Sequence, residues 1–318
     1  MTTSQTLLVQ HAMHHLILPS AARLAGIELG GTHAHAALAE HGRIVAREHL
    51  AVGSPADTLL ALARILADWD AAAPVAGLGI ASFGPIRVDP AASDYGRMLA
   101  TPKVGWSGAD VLRPLAHAVS GPAAMHTDVT AAAIAEGAAG AARDCDHHAY
   151  ITIGTGVGVG IVMHGVPLVG QLHPEAGHMR VRRPGGDAFS GACPFHGDCL
   201  EGLIAGPALR ARFGRDPATV GDDDPCWERV ADALAEACAV LFLTLSLQRI
   251  VVGGGVVAQR KWLLARAARL TGDKLAGYLP PVDGGADLRP AMLDHAGLYG
   301  ALLMAGDAAA GKAWREQG

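Results

Sequence analysis

Histidine and cysteine side chains cluster in one short stretch of the chain, between positions 173 and 201. Cys193 and Cys199 flank His196, and a further imidazole, His178, lies fifteen residues before the first cysteine. Thiolates and imidazoles at such spacing are typical of tetrahedral zinc sites, and a loop can supply the upstream histidine as the fourth ligand. The stretch therefore predicts a structural zinc site formed by His178, Cys193, His196 and Cys199.

Two carboxylates alternate with these predicted ligands. Glu175 and Glu201 are not needed by a metal that already has four nitrogen and sulfur partners, so we expect both to hydrogen-bond something polar. We interpret the metal as a clamp for a binding site. The alternative is a Cys193–Cys199 disulfide, although clustered cysteines in a reducing compartment more often bind metal. The other cysteines have no partner at ligand spacing and are interpreted as packing residues: Cys145, Cys226 and Cys238.

Composition favours a protein that binds small molecules. The chain of 318 residues is 50% hydrophobic and 4% aromatic, with a formal net charge of −5. These values disfavour disorder and a nucleic-acid-binding surface. No apolar run reaches the roughly 18 residues of a membrane span, and residues 1–23 lack the pattern of a signal peptide. We therefore expect a cytoplasmic protein of two lobes that binds neither nucleic acid nor membrane.

An internal echo indicates that the fold is duplicated. The plan of residues 26–42, an apolar strand, a tight turn and a second strand, returns in residues 150–165. Alternating helices and strands follow each copy, which predicts two α/β lobes. Two dipeptides recur at a displacement of 123 positions: Gly31-Thr32 as Gly154-Thr155, and His41-Gly42 as His164-Gly165.

Apolar spacing predicts the main helices and strands. Segments rich in alanine and leucine with a period near 3.6 residues predict helices at 56–71, 130–142, 227–248 and 298–310. Short apolar runs predict strands at 77–82 and 249–252.

Three glycine-rich turns follow apolar strands. Glycine permits positive φ and has no Cβ, so backbone N–H groups can approach an anion, and a threonine hydroxyl adds a donor. None of the turns matches the P-loop or Rossmann fingerprint, and tight hairpins need glycine for steric reasons alone. Their shared position at strand ends favours phosphate binding. The turns are Gly30-Gly31-Thr32, residues 154–160 and Gly253-Gly254-Gly255.

Asp128 lies just before the alanine-rich segment 131–142. Aspartate and threonine are preferred N-caps, so Thr127, Asp128 or Thr130 is expected to cap the helix that follows. The functional alternative for Asp128 is a general base, which accepts a proton from a sugar hydroxyl as that hydroxyl attacks phosphorus. Spacing alone favours the cap over the base.

Several motifs together resemble the ROK family of sugar kinases, and within it the bacterial fructokinases. The similarity runs from about residue 24 to residue 310. The motifs are Gly26-Ile-Glu-Leu-Gly-Gly-Thr32, Ala81-Ser-Phe-Gly-Pro-Ile86, Thr101-Pro-Lys-Val-Gly-Trp106, Thr127-Asp-Val129, Gly154-Thr-Gly156, His173-Pro-Glu-Ala-Gly-His178, Cys193-Pro-Phe-His-Gly-Asp-Cys-Leu-Glu-Gly202 and Gly253-Gly-Gly-Val256.

The resemblance implies an α/β fold of two duplicated actin-like ATPase (ribonuclease H-like) lobes with a cleft between them. It implies a small lobe (24–118), a large lobe with the zinc site (119–290) and a C-terminal helical segment (291–318) that packs on the small lobe. Residues 1–23 precede the similarity, and we interpret them as an N-terminal extension that is either a mobile arm or a misassigned start. A homodimer is also expected from the resemblance.

The resemblance further implies ATP-dependent phosphorylation of a hexose, with D-fructose as the expected substrate, fructose 6-phosphate as the product and Asp128 as the general base. Mg²⁺ is expected to accompany ATP, with Glu28 either its water-mediated partner or a buried polar residue of the strand. The residues implied to bind the sugar are Thr127, Glu175, His178 and Glu201. The residues implied to hold ATP are Gly30, Gly31, Thr32, Gly154, Thr155, Gly156, Gly253, Gly254 and Gly255.

Three positions depart from the family pattern. Thr130 replaces an asparagine, Val159 replaces a glycine of the second phosphate turn, and His33 replaces a lysine. A β-branched residue disfavours positive φ, so we expect Val159 to move a backbone N–H away from phosphate. The alternatives to a fructokinase are a glucokinase or mannokinase of the same family and a non-catalytic sugar sensor.

Overall fold

The structure is a computed structural model that describes residues 18–279 and 287–312. The chain divides into two compact units. Within the described residues, the first unit comprises 18–140, 166–174 and 292–312, and the second comprises 141–165, 175–279 and 287–291. Most of the predicted N-terminal extension lies outside the described residues. Its described part is packed, since Leu18 is buried and its N–H bonds to the carbonyl of Gly42 at 2.9 Å.

A five-stranded sheet in the order β3-β2-β1-β4-β5 forms the first unit. Strands β1 (Leu24–Leu29), β2 (His33–Glu40) and β3 (Arg43–Ala51) are antiparallel neighbours. Strands β4 (Gly77–Ser82) and β5 (Ala123–Thr127) run parallel to β1. Both β1 and β4 are buried along nearly their whole length, as is typical of parallel strands that are covered on both faces.

Helices α1 (Pro55–Ala72), α2 (Leu112–Ala116) and α3 (Asp128–Ala139) belong to the same unit. The helices predicted at 56–71 and 130–142 are confirmed as α1 and α3. Ser54 caps α1 by accepting the N–H of Asp57. The first unit extends to residue 140, so it includes the segment 119–140 that we placed with the second lobe from sequence.

A second sheet has the order β10-β9-β6-β7-β8, and all of its strands except the short β8 belong to the second unit. Strands β6 (His148–Ile153) and β7 (Val157–Met163) are antiparallel. The strand β8 (Val166–Pro167) follows, and β9 (Arg249–Gly253) and β10 (Leu288–Pro290) run parallel to β6.

Short and long helices surround this second sheet. They are α4 (Leu200–Ile204), α5 (Gly206–Phe213), α6 (Cys226–Leu245), α7 (Gly255–Gln259) and α8 (Lys261–Leu275). The helix predicted at 227–248 ends at Leu245, because Ser246 adopts a left-handed conformation (φ 52°). No described helix is long and apolar enough to cross a membrane.

The last described helix, α9 (Ala296–Ala309), packs against β1, β4 and α3 of the first unit. Glycines permit this close approach. A Cβ at Gly79 would lie 1.8 Å from the carbonyl oxygen of Ala301, and one at Gly300 would lie 1.9 Å from that of Ala131. Helix α9 therefore covers the strands whose ends carry the candidate chemistry.

The internal echo is confirmed at the level of backbone conformation. His41 and Gly42 connect β2 to β3 with φ values of 51° and 77°. His164 and Gly165 connect β7 to β8 with φ values of 54° and 73°. Two consecutive left-handed residues match the strand twist of a tight hairpin, so the repeated dipeptides form the same kind of turn.

Candidate active site

Thr127, the last residue of β5, caps helix α3. Its Oγ1 accepts the N–H of Thr130 at 3.2 Å and donates to Thr130 Oγ1 at 2.7 Å. The side chain is buried, and its hydroxyl is used as donor and acceptor. The capping role that the sequence left open among three residues therefore belongs to Thr127, while its contact with a sugar stays a prediction.

Asp128, the first residue of α3, is thereby free of the capping role. Its Oδ1 accepts the adjacent N–H of Val129 at 2.8 Å, and the residue keeps some exposure to solvent. Burial by the surrounding protein raises the pKa of the Asp128 carboxyl to about 6, and the hydrogen bond from Val129 opposes part of this shift. A carboxyl that titrates near neutral pH suits a general base.

Glu28 of β1 provides a second carboxylate to the first unit. It accepts the N–H of Leu298 at the start of α9. Gly297 leaves room for it, because a Cβ there would lie 2.4 Å from Glu28 Oε1. Burial raises the pKa of Glu28 to about 7, and the charge of Asp128 adds to the rise. The contact with α9 gives Glu28 a structural partner, and both alternatives for it, a buried polar residue of the strand and a water-mediated Mg²⁺ contact, stay predictions.

The first glycine turn, Gly30-Gly31-Thr32, joins β1 to β2. The N–H of Gly30 bonds to the carbonyl of His33 at 3.0 Å, and the carbonyl of Thr32 accepts the N–H of Val52 at 2.9 Å. Gly31 is exposed, and nothing lies within 4 Å of a Cβ built on it. The turn is therefore open on the side where a ligand would approach.

The second glycine turn, between β6 and β7, is tied to its neighbours. The N–H of Gly154 bonds to the carbonyl of Gly156 at 2.9 Å, and the carbonyl of Gly154 accepts the N–H of Gly206 at 2.8 Å. Glu201 Oε2 accepts the N–H of Val157 at 3.1 Å. The predicted sugar-binding carboxylate Glu201 thus lies directly at this turn.

The third glycine turn lies against the end of β6. Gly254 has a φ of 90°, and a Cβ on it would lie 2.4 Å from the carbonyl oxygen of Ile153. Ile153 directly precedes Gly154, so the second and third turns are neighbours in the second unit.

The prediction that Val159 moves a backbone N–H of the second glycine turn away from phosphate is wrong. Val159 lies within β7, where it pairs with Ile151 and is buried, and its φ is not positive. The turn has already ended at Gly156, so a β-branched residue at position 159 fits the strand and displaces no N–H of the turn.

The four predicted metal ligands come together within the second unit. Their ligand atoms all lie within 4.8 Å of one another. His178 Nδ1 is 3.6 Å from Cys193 Sγ and 3.5 Å from Cys199 Sγ, and Cys193 Sγ is 3.7 Å from His196 Nδ1. A tetrahedral zinc ion with ordinary bond lengths would hold nitrogen and sulfur ligands about 3.6 Å apart. The donor set and its spacing therefore fit zinc.

The disulfide alternative is wrong, because Cys193 and Cys199 are both free thiols. The packing interpretation fits Cys238, which is fully buried in α6. Cys145 and Cys226 are only partly buried, so packing explains them less completely.

The backbone of Val157 links the metal site to the second glycine turn. The 3₁₀ turn Ala176–His178 follows Glu175, which is exposed. Gly177 packs so closely that a Cβ there would lie 1.8 Å from the carbonyl oxygen of Val157. Val157 also donates its N–H to Glu201. His178 directs Nδ1 to the thiols, which leaves Nε2 outside the metal set.

A charge cluster beside the metal loop was missed from sequence. The side chain of Asp187 is almost fully buried and forms ion pairs with three arginines, Arg183, Arg212 and Arg229. Although burial alone would raise it, hydrogen bonds from Arg212 and Arg183 hold the pKa of Asp187 well below its usual range. Arg183 also pairs with Asp198, next to Cys199. No spacing rule identifies such a cluster, because its members come from separate segments.

The two sheets, each containing a hairpin with a glycine turn, define a duplicated α/β protein. The family model described as "ROK family" matches residues 24–308. The chain belongs to the ROK family.

Relatives with known names are similar over most of the chain. A fructokinase of Pediococcus pentosaceus is 38% identical over 290 residues, which cover 89% of this chain and 97% of that protein. A fructokinase of Zymomonas mobilis is 36% identical over 296 residues, which cover 88% and 95%. The solved structure of a ROK hexokinase from Thermus thermophilus matches with a TM-score of 0.72 and 26% identity, and covers 89% of this chain and 97% of that one. The predicted family and the predicted fold of two actin-like lobes are confirmed.

Proposed function

We propose that this protein transfers the γ-phosphoryl group of ATP to O6 of D-fructose. Similarity to two fructokinases over nearly the full length of both chains supports the reaction and the sugar. The observation that carries the proposal is the start of α3, where Thr127 caps the helix and leaves the Asp128 carboxylate available.

In the proposed reaction, Asp128 accepts the proton of the sugar hydroxyl while the hydroxyl oxygen forms its bond to the γ-phosphorus. The bond from that phosphorus to the β,γ-bridging oxygen breaks, ADP leaves with the electron pair, and Asp128 later releases its proton to water. Mg²⁺, when bound with ATP, supplies charge neutralisation to the phosphates. With a pKa of about 6, Asp128 is mostly ionised at neutral pH and is still basic enough to take the proton.

We assign the sugar hydroxyls to Glu175, His178 and Glu201 of the second unit. His178 supports this assignment because its Nδ1 faces the thiols and its Nε2 remains for another partner. A metal on Nδ1 would fix the ring orientation and the tautomer of that imidazole. Glu201 retains Oε1 for a hydroxyl while Oε2 holds the N–H of Val157.

We propose that the ion held by His178, Cys193, His196 and Cys199 is zinc with a structural role. Four protein ligands fill a tetrahedral shell, so no position is left for a catalytic water. A cytoplasmic location and a homodimer complete the proposal; the family resemblance supports both, and the use of cysteine as a metal ligand fits a reducing compartment.

The test is fructose-dependent ADP release from ATP and Mg²⁺ by the wild-type protein, Asp128→Asn and the control Asp68→Asn, which changes an exposed residue of α1. Asp128→Asn should lower kcat by roughly 10²- to 10⁴-fold, because a general base contributes about that much. It should retain the helix cap and bind fructose within about tenfold of wild type. A variant with most of its activity would remove Asp128 as the base.

The same assay with glucose, mannose and N-acetylated hexoses tests the sugar. Preferred turnover of another hexose would overturn the fructose assignment and keep the kinase. Binding of sugar without any turnover would favour a sensor.

A further inference from the structure

One cation of the first unit lies at the open glycine turn without an acidic partner. The ammonium group of Lys103 donates to the carbonyl oxygen of Gly31. Among the described residues, no carboxylate forms an ion pair with Lys103. Lys274 and Lys312, by contrast, pair with acidic side chains. The charge of Lys103 is therefore not neutralised by the protein.

The position of Lys103 is fixed by two aromatic rings. Its Nζ lies 5.9 Å from the ring centroid of Phe83 and 6.0 Å from that of Trp106, within reach of a cation–π interaction. The rings contact each other edge to face with centroids 5.1 Å apart. Trp106 is fully buried, and its indole N–H bonds to the carbonyl of Gly53 at 3.1 Å. The lysine thus lies on a rigid support instead of extending freely into solvent.

Lysine is rare in this sequence, and Lys103 is isolated from the other lysines along the chain. Only four of the 25 basic residues are lysines, and Lys103 is the only one before position 261. An ammonium group has three donors. One of them is used by Gly31, which leaves two for a ligand above the turn.

The electrostatics of the turn favour a phosphate group as the acceptor for those two donors. A turn that binds phosphate presents backbone N–H groups, and an exposed carbonyl oxygen beside them would repel the phosphate oxygens. The ammonium of Lys103 neutralises the dipole of the Gly31 carbonyl and adds a full positive charge. Phosphate oxygens are strong acceptors for such a charge-assisted hydrogen bond.

We propose that Lys103 binds a phosphate group of ATP at the Gly30-Gly31-Thr32 turn. The inference rests on the proposed kinase function and adds to it a residue whose role the sequence motifs left open. The rival role is a purely structural strap, in which Lys103 only fastens the loop 101–106 to the turn.

The experiment compares Lys103→Met, Lys103→Arg and the control Lys261→Met, which removes the same charge from an exposed position at the start of α8. Affinities for AMP-PNP with Mg²⁺ and for adenosine are measured by calorimetry, beside the melting temperature. Lys103→Met should bind AMP-PNP roughly 10- to 100-fold more weakly, the range for a lost hydrogen bond to a charged group, and adenosine as wild type does. Lys103→Arg should regain part of the loss, and Lys261→Met should match wild type.

A structural strap gives a different result. Lys103→Met would then melt at a lower temperature and either bind AMP-PNP like wild type or lose affinity for AMP-PNP and adenosine equally, and each of these overturns the proposal. Fructose-dependent ADP release by wild type separates this failure from that of the proposed function. If wild type turns over and Lys103→Met keeps its AMP-PNP affinity, Lys103 alone is wrong. If wild type does not turn over while the selective loss for AMP-PNP is seen, the kinase is wrong and the phosphate contact stands.

Discussion

The two hairpins that begin the two sheets share a backbone plan and differ in what surrounds their glycine turns. In the first unit, the turn at Gly31 is open, and its nearest charged group is the ammonium of Lys103. In the second unit, a Cβ on Gly156 would lie 2.7 Å from the carboxylate of Glu201. One turn therefore carries a cation and the other an anion.

This contrast shows how a duplicated element acquires two roles. The repeated Gly-Thr and His-Gly dipeptides produce the same hairpin because the left-handed conformations are local properties of those residues. Charge is contributed by residues far away in sequence, Lys103 for one turn and Glu201 for the other. The first turn is suited to phosphate, and the second lies beside the residues around Val157 that we propose bind the sugar.

The largest expected effect is a loss of stability on removing a residue of the histidine–cysteine set, which among the described residues lies in the second unit alone. Cys193→Ser should release one zinc per chain and destabilise the protein by on the order of 3–5 kcal/mol, because a structural metal contributes directly to folding. Elemental analysis and thermal unfolding with and without a chelator measure both effects.

Cys145→Ser is the matched control, since Cys145 lies outside the metal set. It should keep its zinc and unfold like wild type. A Cys193→Ser protein that is metal-free and as stable as wild type would contradict the structural metal.

A second effect distinguishes the turns by their steric surroundings. Gly254→Ala should destabilise the protein by roughly 2–3 kcal/mol, because position 254 combines a φ of 90° with a carbonyl oxygen 2.4 Å from the added Cβ. Gly31→Ala is the control. It meets no atom within 4 Å, so its unfolding free energy should stay within about 0.5 kcal/mol of wild type. Chemical denaturation measures both, and equal losses would show that the two turns are equally constrained.

The smallest effects concern pH and the two carboxylates of the first unit. Since the pKa of Asp128 is about 6, kcat/KM for fructose should fall about tenfold per pH unit below pH 6 as the base becomes protonated. A profile that stays flat down to pH 5 would contradict Asp128 as the base.

The pH should affect stability in the opposite sense to activity: the contribution of Glu28 to stability falls as the pH rises. The pKa of Glu28 rises from 4.5 to about 7 on folding, so the folded chain holds a proton that the unfolded chain releases. Its contribution to stability is greatest below pH 4.5 and is lost as pH rises through 7. Glu28→Gln should therefore stabilise the protein at pH 8 by on the order of 1–3 kcal/mol and leave it nearly unchanged at pH 4. Equal stability of both proteins at pH 8 would contradict the shift.

Local patterns were enough for the elements and for the metal set. Segments rich in alanine and leucine located α1, α3, α6 and α9 to within a few residues. The first and third of these bury one apolar side, whereas α3 and α9 have runs of consecutive buried residues and are buried all round. Ligand spacing predicted the four members of the histidine–cysteine set, whose side chains meet in the structure, since zinc chemistry restricts both residue type and separation. The cap of α3 was left open, because Thr127 and Asp128 are equally good caps by type and only the geometry at the end of β5 assigns the role to Thr127.

The sequence by itself determined the family, the duplicated hairpins and the membership of the histidine–cysteine set, since these depend on residue type and on contacts between near neighbours. Only the tertiary structure decided which charged group lies at each glycine turn, that Val159 belongs to a strand, and that Asp187 gathers three arginines beside the metal loop. The physical reason is that burial and charge depend on segments that are distant along the chain. A raised pKa at Asp128 or Glu28 follows from the protein packed around the carboxyl, which no spacing of residues records.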